Sequence, residues 1–305
     1  MEKVKAWFKI IRPPILFISA FGAAVGALNV TIGQNMDPDP ITFWLALIAW
    51  SPLVYTGIMI HNDYTDLASD RINRPLKPIP SGAISPKTAK WTGLGMMFSG
   101  TILAFFIDFH NGSINLSAGF VALSLMIVGI VYNHWGKGWG IWGNVFVAYG
   151  VAIIPFYGGV AMEPIGGIIA IAPLAITIFV MEIGREIIVC AEDVEGDIKA
   201  GFKTFPVRIG AKKSMYVAVV FYIGYALLYP APYLFKWDVL PSLYYDPVYL
   251  FGATVFAILL FVTWYLTLRQ MTEKAFWNYI RTGTRVGVIF FQFVLLISAY
   301  YPGTI

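Results

Sequence analysis

The sequence predicts an all-α integral membrane protein with about nine transmembrane helices. Three observations predict it. Apolar residues make up 58% of the 305 positions and charged ones only 12%, about half the charged fraction of a soluble domain. The apolar residues come in long blocks, such as 15–30, 41–60 and 165–180, and a bilayer crossing takes about 20 mostly apolar residues. The basic residues, finally, are confined to alternate connections.

From the N-terminus, Lys3, Lys5, Lys9 and Arg12 precede an apolar run. That run outlasts the core of a signal peptide and further spans follow it, so it reads as a retained first span. Breaks at Pro, Gly and polar clusters then place spans near 12–33, 41–62, 86–108, 114–132, 140–160, 165–190, 212–235, 248–269 and 283–301. With this division, 19 of the 21 Lys and Arg fall on one side. Arg185 lies inside a span near that same face, and only Lys236 falls opposite. The positive-inside rule makes the basic side cytoplasmic, with the N-terminus inside and the C-terminus outside. The net charge of +4 therefore reads as basic loops and not as a nucleic-acid surface. The opposite loops are short, so the chain reads as one transmembrane domain over 1–305, with cytoplasmic motif loops near 62–85 and 191–211.

A single cysteine, Cys190, excludes an internal disulfide. His61, His110 and His134 lack the spacing of metal ligands. The acids are more telling. Asn62, Asp66 and Asp70 stand four apart at the end of the second span, and Asp193 and Asp197 repeat that spacing at the end of the sixth. A continuing helix would put each set on one face, where like charges repel, and near hydrocarbon the penalty grows. Oxygen-only donors call for a hard cation such as Mg²⁺, which is usually held by one or two carboxylates together with substrate phosphates. Bases for those phosphates follow each cluster: Arg71, Arg74 and Lys77 after the first, Lys199, Lys203 and Arg208 after the second. Segments 70–82 and 197–210 both run from an acid through basic residues to Pro and then Gly, a weak internal repeat that places a site between two halves. Solvated helix ends explain either cluster alone, but less readily two clusters on one face.

The run Asn62-Asp63-x-x-Asp66-x-x-x-Asp70-Arg71, with Asn73-Arg74-Pro75 and Pro78-Ile79-Pro80-Ser81-Gly82, resembles the first motif of the UbiA superfamily of intramembrane prenyltransferases. Asp193-x-x-x-Asp197, with Lys203-Thr204-x-Pro206 and Gly210, resembles its second. The resemblance implies nine helices around a central cavity open to lipid, and Mg²⁺-dependent transfer of a prenyl group from an isoprenyl diphosphate to a hydrophobic acceptor. On the matching positions it implies that Asn62, Asp66, Asp70, Asp193 and Asp197 hold the metal–diphosphate, with Arg71, Arg74, Lys77 and Lys203 on phosphate oxygens. Tyr132 and Lys137 resemble a further family feature, a Tyr and a basic residue facing the cavity, and join Asp66 and Asp193 as expected catalytic residues.

Gly184-Arg185-Glu186-Ile187 ahead of the second cluster is similar to the archaeal digeranylgeranylglyceryl phosphate synthase branch. That likeness implies geranylgeranyl diphosphate as donor and geranylgeranylglyceryl phosphate as acceptor, in ether-lipid synthesis at the cell membrane. Branch members tend to carry Lys-Asp where this chain has Val189-Cys190, and many relatives carry Asn at Ile15. The segment around Lys77 also resembles chlorophyll synthases, so an aromatic or chlorophyll-type acceptor is the alternative. A transporter is the reading from another class, but transporters place such acids near the midplane, beside broken helices.

Overall fold

Four spanning helices begin with the same local device, a proline at the first position preceded by a capping oxygen. Asp39 accepts from the Thr42 amide at 2.7 Å, Ser85 from Thr88 at 3.0 Å and Asp246 from Val248 at 2.7 Å, while Glu163 caps Gly166. Proline loses nothing there, because the first-turn amides lack intrahelical partners, and the side-chain oxygen satisfies one that would otherwise be orphaned.

The computed structural model describes residues 2–33, 36–113, 115, 117–235 and 246–300. Lys236, expected on the far side, lies outside the described residues. A short amphipathic helix α1 (Glu2–Ile11) leads into α2 (Pro13–Gly33) and α3 (Pro40–Thr65). The motif helix α4 (Leu67–Asn73) follows, then α5 (Pro86–His110), α6 (Ser117–His134), α7 (Ile141–Met162) and α8 (Pro164–Glu192). A second motif helix α9 (Val194–Lys199) and the short α10 (Phe205–Ile209) precede α11 (Ala211–Leu234), α12 (Pro247–Gln270) and α13 (Glu273–Tyr300). Among the described residues nine helices are long and apolar enough to cross a membrane, as expected.

The expected boundaries hold except at the last span, which begins at 273 and not near 283. The residues taken as its preceding loop form a wide-turned helical segment, Phe276–Gly283. Its arginine is not solvated there, because Arg281 pairs with Glu192 of α8. A similar wide turn, Ala49–Tyr55 in α3, surrounds Pro52, whose missing amide and bulky ring do not fit a regular α-turn.

Successive spans pack side by side, and α13 returns to pack on α2, closing a ring. The ring is pinched where α2 crosses α7. On one side of the pinch, α3, α5, α6 and α7 bury Trp50, Ile107, Leu125 and Tyr157; on the other, α8, α11, α12 and α13 bury Ile187, Tyr222, Phe256 and Leu295. Glycines make the crossing close. A Cβ added at Gly26 would overlap the Pro155 carbonyl, and one at Gly158 the Ala23 carbonyl. Toward the motif end the two helices are separated by a cavity of about 340 Å³.

The pinch should therefore tolerate no side chain. Gly158→Leu is expected to lose at least the ~1–3 kcal/mol typical of overpacking, read as a lower thermal midpoint in detergent. Gly95→Ala, where an added Cβ meets nothing within 4 Å, is expected to be neutral or to gain up to ~1 kcal/mol from helix propensity.

Candidate active site

Both acidic motifs are built in the same way. The long helix α3 ends at Asp66 (φ −82°, ψ 3°) and α8 ends at Asp193 (φ −92°, ψ 7°), and each residue starts a short helix. These dihedrals lie in the sparsely populated bridge region that active-site residues often adopt. The regular helix is interrupted at one residue in each motif, while the amides of Asp66, Asp70 and Asp197 still donate to the carbonyls of Asn62, Asp66 and Asp193, keeping the four-residue step. Each bend leaves its second acid, Asp70 or Asp197, in the first turn of the short helix. The repeat in the sequence is thus a repeat in backbone geometry.

The bends bring the motifs together, with α4 packed on α9, and cations join them. Arg74 Nη2 donates to both Asp193 oxygens, at 2.7 and 2.8 Å. Lys137 Nζ lies 3.0 Å from Asp66 Oδ1 and 3.7 Å from Asp197 Oδ1, so it touches both motifs. Lys77 Nζ bridges Asp70 at 2.6 Å and Asp63 at 2.9 Å within the first. Arg12 also pairs with Asp63, tying the start of α2 to the end of α3. Arg281 Nε donates to Glu192 at 2.6 Å. Burial pushes the carboxyls of Asp70 and Asp197 above the usual aspartate range, against the neighbouring lysines. Burial also works against the charges of Arg74 and Lys137, but Asp193 beside the first and Asp66 beside the second hold them above their ordinary values.

Lys137 is aimed by a stapled loop. It lies in the tight turn Gly136–Gly138, and Arg208 donates to the carbonyls of Gly138 and Lys203, both at 2.9 Å. Gly140 pairs with Thr204 beside this staple at φ +63°, where glycine avoids Cβ strain. Arg208, one of the cations following the second cluster, therefore positions the loop. Arg71 and Lys203 are exposed and, among the described residues, unpaired by acids. Asn62 donates to Asn133 at 3.0 Å, which leaves its carbonyl oxygen available. Tyr132 lines the cavity.

The donor set suits a hard cation supported by a ligand. Asp197 Oδ1 is buried without a hydrogen bond, and all five expected ligands offer oxygen. Among the described residues no three acids, His or Cys converge closely enough to hold a metal by themselves. That agrees with the habit of Mg²⁺, which takes one or two carboxylates and completes its shell with phosphate and water. The spacing of the acids cannot show this, since side-chain convergence depends on the bends.

The cavity beneath the motifs is walled by α2, α3, α6, α7, α8 and α13. Ile58, Val128, Val147 and Val151 give it an apolar lining, and Arg12, Arg185, Arg281 and Arg285 add cations. Arg281 and Arg285 are among the 19 basic-side cations, Arg281 just before the expected last span 283–301 and Arg285 within its first turn. Their four-residue spacing at the head of an apolar run is the signal for a common helical face.

A family profile described as the UbiA prenyltransferase family matches residues 18–296. Digeranylgeranylglyceryl phosphate synthase of Thermococcus gammatolerans is 34% identical over 219 residues, covering 72% of this chain and 74% of the relative. A solved structure from work on digeranylgeranylglyceryl phosphate synthase in membranes superposes with a TM-score of 0.71 at 25% identity, covering 98% of this chain and 99% of the other. A UbiA homologue from Archaeoglobus fulgidus, bound to DMAPP and Mg²⁺, shares the fold with a TM-score of 0.65 at 16% identity, covering 95% and 99%. With two matched acidic helix ends above one cavity, and a profile match over most of its length, the chain belongs to the UbiA prenyltransferase family.

Proposed function

We propose that the chain is a single transmembrane domain over 1–305 that transfers a geranylgeranyl group, with Mg²⁺, from geranylgeranyl diphosphate to the free hydroxyl of geranylgeranylglyceryl phosphate. The observation that carries the reading is the joining of both acidic motifs, by Arg74 and Lys137, over an apolar cavity. The relative from Thermococcus gammatolerans supports the acceptor, and the DMAPP and Mg²⁺ in the Archaeoglobus fulgidus homologue support the donor class and the metal.

In this reading Asn62, Asp66, Asp70, Asp193 and Asp197 supply the oxygens of the metal–diphosphate site. Arg71, Arg74, Lys77 and Lys203 bind phosphate oxygens, the exposed Arg71 and Lys203 from the solvent side. Bound Mg²⁺ neutralises diphosphate charge and improves the leaving group. As the allylic C–O bond breaks, negative charge gathers on the departing diphosphate. Lys137, Arg74 and Lys77 then hold it more tightly than they hold the substrate, and this differential hold lowers the barrier. The apolar wall keeps water from the allylic cation, and Tyr132 lines the chamber in which the acceptor's hydroxyl oxygen bonds to that carbon, its proton leaving with the released diphosphate. The positive-inside rule sets this mouth toward the cytoplasm at the cell membrane.

Two measurements check the reading. Asp66→Asn and Asp193→Asn are each expected to lower Mg²⁺-dependent turnover by at least ~10²-fold, the scale of losing a positioned electrostatic group, with the thermal midpoint showing a folded protein. Full activity in both variants removes the site assignment. With labelled geranylgeranyl diphosphate, wild-type protein is expected to release diphosphate and label geranylgeranylglyceryl phosphate. Label on an aromatic acceptor alone gives the alternative enzyme reading, and substrate accumulation in vesicles without diphosphate release gives the transporter.

A further inference from the structure

We infer that Arg285 forms a second anion site inside the cavity, one that binds the phosphomonoester of the acceptor lipid. The inference rests on the proposed transfer to a phosphorylated acceptor and goes beyond it by assigning the residues that recognise the acceptor.

Four arginines line the cavity, against two glutamates. Both glutamates are taken, because Arg185 pairs with Glu182 and with Glu186. Arg281 is committed to Glu192, with Asp193 at 3.7 Å. Arg12 shares Asp63 with Lys77. Arg285 is half-buried in the cavity wall and, among the described residues, has no acidic partner or hydrogen bond. Arg281, Arg185 and Arg12 line the same cavity. A cation in such a place, facing a cavity and surrounded by like charge, is stabilised by an anion that arrives with a ligand.

Its depth separates this anion from the donor's diphosphate. Arg281 marks the mouth, where it meets Glu192 at the end of α8. Arg285 stands four residues further along α13, past the end of the wide-turned segment. There α13 packs on α2, whose first turn follows Arg12. With those pairs counted, Arg285 is the cation of the cavity wall left without an acid among the described residues, of the sign a phosphomonoester needs. Guanidinium groups also suit phosphate through paired N–H donors. A glyceryl phosphate has its free hydroxyl within a few bonds of its phosphate, so a grip at Arg285 holds the nucleophile beneath the diphosphate at the mouth.

Arg285→Gln leaves no carboxylate unpaired, so the variant is expected to fold, and Arg285→Lys retains the charge. Two kinds of measurement decide the matter. Steady-state assays vary geranylgeranyl diphosphate, geranylgeranylglyceryl phosphate and the phosphate-free geranylgeranylglycerol. Arg285→Gln is expected to raise KM for the phosphorylated acceptor about 10- to 100-fold, the scale of losing a charged hydrogen bond. The donor KM and turnover of the phosphate-free acceptor should stay within about twofold, with partial recovery in Arg285→Lys. A rise in donor KM alone reassigns Arg285 to the diphosphate, and no change in either KM overturns the site. Direct titration of the phosphorylated and phosphate-free lipids into donor-free protein reads the site without turnover. Preference for the phosphorylated lipid that is lost in Arg285→Gln supports the site even if wild-type protein forms no product, a result that would sink only the proposed transfer. Equal affinity for both lipids in wild-type protein overturns it.

Discussion

Carboxylates at the end of a spanning helix need counter-charge, and the functional end of this protein is arranged to supply it. Asp66, Asp70, Asp193 and Asp197 come from two distant segments, and Arg74, Lys77 and Lys137 meet them at 2.6–3.7 Å. Arg74 and Lys137 cross between the segments, so the ion pairs that offset repulsion also set the relation of the two motifs. Removing one partner would leave the other charged, half-buried and unpaired, which is more costly than never forming the pair. In the proposed function, cations placed there also meet the diphosphate, whose oxygens replace the carboxylates as partners.

The acids of both motifs lie at matching breaks in α3 and α8. The turns at Asp66 and Asp193 interrupt the helices at one residue each, and nearly equal dihedrals at the two sites show one local solution used twice. The staple from Arg208 to the loop around Lys137 completes the arrangement.

Below the mouth, the glycine contacts of α2 and α7 close the ring into two packed halves, while the ends of the same helices diverge to leave the cavity. Small residues permit close approach at one end, and charged and branched ones hold the helices apart at the other. The pinch and the chamber are consequences of one crossing.

Much of this was legible in the sequence, for a physical reason. Hydrocarbon imposes length and apolarity on each segment, so the spans could be read from composition, and the scarcity of charge made the positions of Asp66, Asp193 and their neighbours informative. The family followed from the same residues. Tertiary structure alone decided how the charges pair. Spacing suggested acids on a common helical face with bases free for phosphate. In the folded chain the acids make cross-motif ion pairs to Arg74 and Lys137, while Arg71 and Lys203 stay exposed. Arg281 and Arg285 sit at the start of the last expected span, where a basic residue usually meets water. Only the packing of α13 against α2 and α8 turned both toward the cavity, paired Arg281 with Glu192 and left Arg285 without an acid. Local sequence governs which segments enter the membrane, whereas the partners of a charge depend on which distant helix ends meet.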